Sequence, residues 1–230
     1  MSPDSSHLHF MDVTSAPSPK HQLPQPRKPP VQARSRALVD AIAEACLRIL
    51  EKEGEDALTV NRIAEVSGAT VGSIYQYFPH KESMIAAVYE RILDQESSQL
   101  YEMREQLKGL PLQAILRQVF ANMIRVELRL HGLSQGFHMR YSTALHLGQW
   151  HAPRGSTQEF INTTWLPLLQ MHASEVQTDT PELAAYLLGK GLREIIHSAV
   201  QDVPELARGD AFLDMLVAMA MSCVQTKTRP

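Results

Sequence analysis

The sequence predicts an all-α protein: a three-helix N-terminal helix-turn-helix domain followed by a C-terminal helical bundle, about nine helices in all. Apolar residues recur at i, i+3 and i+4 in one segment after another, which is the spacing of a buried helix face. No stretch alternates polar and apolar residues as a strand does, and no internal repeat is present. Glycine or proline separates most segments and marks the ends of the helices.

The composition indicates a globular protein of the reducing cytoplasm. Of the 230 residues, 44% are apolar, which is enough to bury a sizeable core. The two cysteines, Cys46 and Cys223, are far apart in the chain, which argues against a disulfide scaffold. No run reaches the roughly 18 apolar residues that a membrane helix needs, and we expect no membrane segment.

The N-terminal tail, residues 1–31, is predicted to be disordered, because prolines are frequent there and no apolar period is present. The chain has a net charge of −3, but its first 36 residues contain five Lys/Arg against two Asp. Basic charge therefore gathers just before the first helix. This segment is either an arm that lies along nucleic-acid phosphates or an ordinary solvated tail.

Helix 1 is predicted over residues 35–52, where Leu38, Ile42 and Ile49 form an apolar stripe and Gly54 follows. Two short helices come next, as described below. The remaining helices are predicted over residues 81–107, 111–130, 134–147, 156–176, 180–201 and 210–225.

Several local signals set the bounds of these later helices. Gly132 is expected to end the fifth helix. Pro167 is expected to kink or interrupt the seventh. The pair Thr180-Pro181 has the capping hydroxyl and first-turn proline that begin a helix. From Met215 to Met221 every residue is apolar, which predicts a last helix buried on all sides.

Residues 59–78 predict a helix-turn-helix. Thr59 can cap its first helix, and Leu58 can pack on Ile63 as a hydrophobic staple. Gly68 stands where the chain must turn. The second helix, about residues 70–77, is expected to bury Val71, Ile74 and Phe78. Its opposite face is polar and is formed by Thr70, Ser73, Gln76 and Tyr77.

A short helix with hydroxyls, an amide and phenols on one face suits a DNA groove, where small polar groups read base edges and phenols reach phosphates. The whole pattern resembles the DNA-binding domain of the TetR family of transcriptional regulators. The residues that carry this resemblance are Leu58, Thr59, Ile63, Ala64, Gly68, Gly72, Ser73, Ile74, Tyr75, Tyr77, Phe78, Pro79, Lys81 and Glu82. His80 replaces the small polar residue that usually precedes the lysine in this family.

The resemblance implies three regions: the tail 1–31, a DNA-binding domain over 32–81, and a ligand-binding and dimerisation domain over 82–230. It also implies which side chains meet DNA. Those expected in the groove are Asn61, Thr70, Val71, Ser73, Tyr75 and Gln76, with Gly72 allowing a close approach. Thr59, Tyr77 and Lys81 resemble phosphate contacts. For the two tyrosines, packing against helix 1 is the alternative.

Helices 8 and 9 are predicted to form the homodimer interface, as the family's last two helices do. The residues expected there are Ala185, Gly189, Leu192, Ile196, Leu216 and Ala220. The alternative is that these helices form the core of a single chain. A dimer is favoured because one helix-turn-helix reads only a few base pairs, so such proteins pair on two-fold sites.

The C-terminal domain is predicted to hold an unknown small ligand, with no cofactor and no metal. A ligand pocket is expected among Phe120, Met123, Phe137, His138, Tyr141, Trp165 and Leu169, although aromatic residues at helical spacing also form filled cores. A metal site is not expected, because no pair among His131, His138, His146, His151 and His172 has the i, i+4 spacing of a helical zinc motif.

The sequence therefore predicts a homodimeric transcriptional regulator of double-stranded DNA. The resemblance implies a repressor released from a palindromic operator by a small, largely apolar ligand. The alternatives are an activator of the same family and a helical protein-binding adaptor whose helix-turn-helix no longer binds DNA. An enzyme is not expected, since no phosphate loop, nucleophile elbow or paired carboxylates are present.

Overall fold

The computed structural model describes residues 24, 33–107, 109–146 and 161–227, and these residues contain helices and turns but no strand. The predicted tail 1–31, apart from residue 24, and the start of the predicted seventh helix lie outside the described residues. Within the described ranges, no helix is both long and apolar enough to cross a membrane.

The N-terminal half of the chain forms six helices. They are α1 (Ala33–Glu53), α2 (Val60–Ser67), α3 (Val71–Tyr77), α4 (Lys81–Gln106), α5 (Leu112–Leu133) and α6 (Gln135–His146). A single 3-10 turn, Glu55–Ala57, lies between α1 and α2.

The C-terminal half is also helical, but π-helical turns interrupt it twice. The π segment Ile161–Trp165 leads into α7 (Leu166–Met171), just before Pro167, where the sequence predicted an interruption. A second π segment, Leu187–Gly191, joins α8 (Pro181–Tyr186) to α9 (Leu192–Asp202). The last two helices are α10 (Pro204–Ala207) and α11 (Asp210–Gln225).

Two predicted helix ends were wrong. Helix α5 runs through Gly132 to Leu133, because Leu130 and Leu133 are both buried and packing outweighs the low helix propensity of glycine. The seventh helix ends at Met171 and not at Val176. The turn that follows α7 caps α5, because the Glu175 carboxylate accepts the Leu112 backbone N–H at 3.1 Å.

Helix α10 was missed, and α11 is covered on one face only by the described chain. The four residues of α10 follow Pro204, a residue that often begins a helix. Helix α11 is not buried on all sides, since Met215 is 65% exposed and Met219 is 43% exposed. One apolar face of α11 therefore has no partner within the described chain.

The helices enclose two hydrophobic cores. The first joins α1 to α4 with the C-terminal half of α5 and with Phe137 of α6. The second joins the N-terminal half of α5 with the helices from Ile161 onwards. Helix α5 thus belongs to both cores: Leu116 and Phe120 lie in the second, and Val126 and Leu130 lie in the first.

Helix α4 is bound to the later helices by polar contacts that surround the first core. The Tyr89 hydroxyl is 2.5 Å from the Leu130 carbonyl oxygen and 3.2 Å from that of Ser134. The Arg125 guanidinium forms a two-point pair with the buried carboxylate of Glu96. The first four helices consequently pack against α5 and α6 and are not joined to them by a flexible linker alone.

Candidate nucleic-acid interface

The start of the helix-turn-helix has the geometry that the sequence predicted. The Thr59 hydroxyl accepts the Arg62 backbone N–H at 3.2 Å and caps α2. Gly68 ends that helix with φ 71°, in the left-handed region that glycine occupies without strain. Leu58 and Ile63 are both buried in the first core. These contacts fix the angle at which α3 leaves the turn.

Ile74 and Phe78 anchor the inner side of helix α3, since both are fully buried in the first core. At its N-terminus, the Thr70 hydroxyl accepts the Ser73 backbone N–H at 3.1 Å, so Thr70 is the cap and not the first helical residue. The prediction that Val71 is buried was wrong, because it is 39% exposed. Val71 is the first residue of α3 and is accessible there together with the polar residues of the helix.

The outward face of α3 carries the side chains that were expected in the groove. Tyr75 is 47% exposed. Thr70, Val71, Gly72 and Gln76 are exposed as well, whereas Ser73 is half-buried. Asn61 of α2 is exposed beside them in the motif. An added Cβ at Gly72 would meet no atom within 4 Å, so nothing in the chain itself requires glycine there.

The residues expected to contact phosphates are in three different situations. Thr59 is exposed, although its hydroxyl already serves as the cap of α2. Tyr77 is half-buried and packs against the first core. The Lys81 ammonium donates to the Glu55 carbonyl oxygen at 2.7 Å and lies 3.7 Å from the Glu55 carboxylate. Lys81 is therefore already partnered before it meets DNA.

Glu55 was not singled out in the sequence, yet it links the predicted DNA face to the C-terminal helices. One carboxylate oxygen faces Lys81, and the other accepts the Ser134 hydroxyl proton at 2.6 Å. Ser134 is 2% exposed and its hydroxyl oxygen accepts the Phe137 backbone N–H at 3.2 Å, so it caps α6. No sequence signal joins these residues, because they are 79 positions apart.

His80 takes over the capping role that the usual small polar residue would have. Its Nδ1 accepts the Ser83 backbone N–H at 3.3 Å, and the Ser83 hydroxyl donates back to the His80 carbonyl oxygen at 2.6 Å. The departure from the family pattern therefore preserves the start of α4.

A second cation at this surface, Arg62, is neutralised by its neighbours. It donates twice to the Glu53 carboxylate, at 3.0 and 2.9 Å, and also pairs with Glu65. These bonds raise the pKa of Arg62 and lower that of Glu53. Arg62 and Lys81 are thus both paired with glutamate residues of the same chain.

The seven residues expected to line a ligand pocket do not come together. Phe137 and Tyr141 pack with the first core, whereas Phe120, Met123, Trp165 and Leu169 belong to the second. The Phe120 and Trp165 rings stack with centroids 6.1 Å apart. His138 is fully buried in a separate polar cluster. The aromatic residues of this set are therefore part of filled cores, which was the alternative to a pocket.

The six residues predicted for the dimer interface face the interior of their own chain. All six are buried inside their own chain: Ala185, Gly189, Leu192, Ile196, Leu216 and Ala220. A Cβ added at Gly189 would stand 2.7 Å from Cδ1 of Trp165 in the same chain. The small residues thus allow close packing within one bundle.

The opposite faces of these helices are exposed and apolar. The residues concerned are Leu183, Leu187, Ile195, Met215 and Met219. A groove of about 280 Å³ lies between α8 and α11, and its lining includes Leu183, Leu187 and Cys223. None of the seven predicted ligand residues lines this groove.

The family model for the bacterial regulatory proteins of the tetR family matches residues 40–88. This range contains the capped α2, the left-handed Gly68 and all of α3. This match places the DNA-binding domain of the chain in the tetR family of bacterial regulatory proteins. The chain accordingly has the helix-turn-helix of a DNA-binding transcriptional regulator, and this family is not one of enzymes.

Two solved structures are similar to this chain, and the first of them shares its fold over most of its length. A protein of Mesorhizobium loti MAFF303099, assigned to the TetR family of transcriptional regulators, is 21% identical, with a TM-score of 0.55 over 82% of this chain and 98% of its own. A TetR transcriptional regulator of Rhodococcus sp. RHA1 is 20% identical, with a TM-score of 0.46 over 80% of this chain and 97% of its own. No curated protein matches the sequence significantly.

Proposed function

We propose that this TetR-family regulator is a homodimeric repressor that binds a palindromic operator through α3 and leaves it when an effector binds the C-terminal helices. The observation that supports the proposal is the outward face of α3. It presents an amide, a phenol and hydroxyls on a helix whose inner side is anchored by Ile74 and Phe78. A rigid helix with small polar groups outside suits reading of the major groove.

The proposed base contacts are Asn61, Thr70, Val71, Ser73, Tyr75 and Gln76, and the close approach of the helix is at Gly72. The amides of Asn61 and Gln76 are suited to bidentate pairing with adenine, and Val71 can contact a thymine methyl group. Thr59, Tyr77 and Lys81 are the proposed phosphate contacts. Lys81 must exchange its Glu55 partner for a phosphate oxygen.

The proposed dimer uses the exposed apolar face of α8, α9 and α11. Leu183, Leu187, Ile195, Met215 and Met219 are each between 38% and 65% exposed. An apolar surface on consecutive terminal helices is typical of an interface between subunits. A two-fold axis there would place two copies of α3 on half-sites about one DNA turn, roughly 34 Å, apart.

Release from the operator is proposed to pass through α4, α5 and α6. Ser134 at the start of α6 holds Glu55, and Glu55 holds Lys81. A movement of α6 would therefore change the partner of a proposed phosphate contact. Because the residues predicted to line an apolar pocket are split between two cores, the proposal requires an effector that acts on these helices, not specifically an apolar one.

The first experiment selects bound fragments from random duplex DNA and then measures the affinity of variants for the consensus by fluorescence anisotropy. A palindromic consensus is expected. Gln76→Ala should cost about 1–3 kcal/mol on the cognate site and relax its sequence preference. Gln118→Ala, which removes an exposed amide of α5, is the matched control and should leave affinity unchanged.

Lys81→Gln tests the phosphate contact in the same assay. It should weaken all sequences alike and reduce the slope of log K against log salt by about 1. An absence of any salt-dependent DNA binding by the parent protein would favour the adaptor alternative. A reporter gene under the selected site distinguishes a repressor from an activator by the sign of the response.

The dimer is tested by Leu187→Glu and Met215→Glu, which place charge on the proposed face without disturbing the core. Each should convert a dimer into a folded monomer in sedimentation experiments. Met171→Glu is the control, since Met171 is 63% exposed on α7, outside this face. Unchanged dimers in the first two variants would mean that another surface is used.

A further inference from the structure

Three side chains from three helices converge where the two hydrophobic cores meet. The Glu127 carboxylate of α5 lies 3.1 Å from Nε2 of His138 of α6 and 2.5 Å from Nδ1 of His197 of α9. One ligand atom from each residue lies within 4.8 Å of both others. The neighbours along the chain belong to different cores: Val126 and Phe137 to the first, Ile196 to the second.

This cluster is buried and is incompletely satisfied. His138 is fully buried and His197 is 8% exposed, while the Glu127 side chain is 15% exposed. Nδ1 of His138 is buried and has no hydrogen-bond partner. Leaving such a group without a partner costs about 1–3 kcal/mol, so the residue is poorly explained by the stability of this chain alone.

We propose that Glu127, His138 and His197 bind a divalent transition-metal ion of the zinc type. Imidazole nitrogens together with a carboxylate are ligands that this class of ion prefers, whereas Mg²⁺ and Ca²⁺ prefer oxygen alone. Three protein ligands leave a fourth position open for water or for a further side chain.

The distances fit this assignment after a small movement. Ligand bonds of about 2.0–2.1 Å in a tetrahedron place the ligand atoms about 3.3 Å apart. The Glu127–His138 separation of 3.1 Å is already close to that value. The Glu127–His197 separation of 2.5 Å must open by less than about 1 Å. The contact between Glu127 and His197 would then be replaced by a bond from each residue to the ion.

Two neighbouring side chains set the conditions for binding. His131 follows Glu127 by one turn of α5, and its ring centroid is 5.8 Å from that of His138, so it is placed to supply the fourth ligand. Arg193 stands one turn before His197, and burial lowers its pKa while the Glu127 charge opposes that shift.

The ion would hold α5, α6 and α9 in one arrangement. Phe137, next to His138, packs edge-on against Tyr89 of α4 with centroids 4.9 Å apart. Metal binding is thus placed to change the support of the helix-turn-helix. The binding site stands on its own geometry, whereas this effect on DNA rests on the proposed function.

The test uses the untagged full chain, stripped of metal with a chelator and titrated with Co²⁺ and Zn²⁺. Co²⁺ in a tetrahedral nitrogen and oxygen site gives a visible absorption band, and the band should saturate at one ion per chain. His138→Gln and His197→Gln should each weaken binding about 100-fold or more, since losing a group that only orients a ligand already costs about 10- to 100-fold.

The matched control is His172→Gln. His172 also pairs with a carboxylate, that of Glu175 at 2.9 Å, but it lies outside the cluster, so its variant should bind the ion as the parent does. Glu127→Gln is the second cluster variant if the histidine variants unfold, because it keeps the shape of the side chain. The proposed site would be overturned if the parent protein showed no saturable metal binding. It would also be overturned if His172→Gln weakened metal binding as much as the cluster variants do.

Operator binding is then measured with and without Zn²⁺ for the parent and for His138→Gln. A Zn²⁺-dependent change of at least tenfold in the parent, lost in the variant, would identify the ion as effector. Co²⁺ binding without an effect on operator affinity would retain the metal site and reject its regulatory role. Failure of the parent to bind any DNA would reject the proposed function and leave the metal titration valid.

Discussion

The helix-turn-helix region and the junction between the two hydrophobic cores use polar side chains in opposite ways. Around α1 to α3 the polar groups point outward, and the residues beneath them, such as Ile74 and Phe78, are apolar and fully buried. At the junction with the C-terminal bundle, by contrast, His138 and His197 point inward. An apolar interior gives a rigid surface for reading DNA. An interior with polar groups supplies a place where a ligand can alter the packing.

The largest effect is expected from Phe78→Ala, which tests the apolar side of this comparison. Phe78 is fully buried between α3 and the first core, and such a truncation costs about 3–5 kcal/mol. Chemical denaturation should show the lower free energy of unfolding. DNA binding should be lost at temperatures at which the C-terminal helices, including α11, are still folded. A variant with parental stability would mean that α3 is not anchored by this core.

A matched pair of glycine substitutions follows. Gly189→Ala should destabilise the chain by about 1–3 kcal/mol, because its Cβ would stand 2.7 Å from Trp165. Gly72→Ala should stabilise α3 by about 0.5–1 kcal/mol, because its Cβ meets nothing within 4 Å. Thermal unfolding measures both.

The same pair distinguishes structural from functional glycine. If Gly72 allows α3 to approach DNA closely, Gly72→Ala gains stability and loses operator affinity. Parental affinity in this variant would remove Gly72 from the proposed contacts, without affecting the rest of the interface.

A smaller effect is expected from Tyr89→Phe, which breaks the connection between the two regions and preserves the packing. It removes the hydroxyl that faces the Leu130 and Ser134 carbonyl oxygens. The loss should be about 0.5–1.5 kcal/mol. The substitution should change the effect of an effector on operator affinity more than it changes operator affinity without effector. If the effect of the effector is unchanged, the Tyr89 contact does not transmit it to the DNA-binding helices.

The smallest perturbation is thiol labelling of the folded chain. Burial raises the pKa of the Cys46 thiol to about 12, so almost none of it is thiolate at neutral pH, and it is shielded in the first core. Cys223 is only partly buried and lines the groove between α8 and α11. In the monomeric Met215→Glu variant, in which the proposed dimer face is open, Cys223 should react first, and Cys46 only as fast as its core opens. Equal rates would show that the first core is not rigid.

The sequence was sufficient for the first region because its signals are local. Thr59, Gly68 and Phe78 act within a few residues of where they stand, as cap, turn and anchor. Even the deviation at His80 is resolved locally, by a bond to Ser83. Periodicity likewise located the later helices, although packing of Leu130 and Leu133 carried α5 past the glycine that was expected to end it.

The contacts of the second region could not be predicted from the sequence, because they join residues far apart in the chain. Periodicity says that Leu192 and Leu216 are apolar and helical, but not whether another helix of the same chain covers them, and here one does. The buried cluster joins Glu127 and His197 across 70 positions. A search for i, i+4 histidine pairs overlooks it, since its ligands lie on three helices. The Glu127 and His131 spacing on α5 was the only local hint.

The π segment Leu187–Gly191 has a consequence for how this chain tolerates insertions and deletions. A π turn contains more residues than an α turn, so it changes the rotational phase between α8 and α9. Deleting one residue there would turn everything downstream by about 100° about the helix axis. His197 would then leave the side of the helix that faces Glu127, although no residue of the cluster had been changed. The length of this segment is thus as strict a requirement for the cluster as the identity of its side chains.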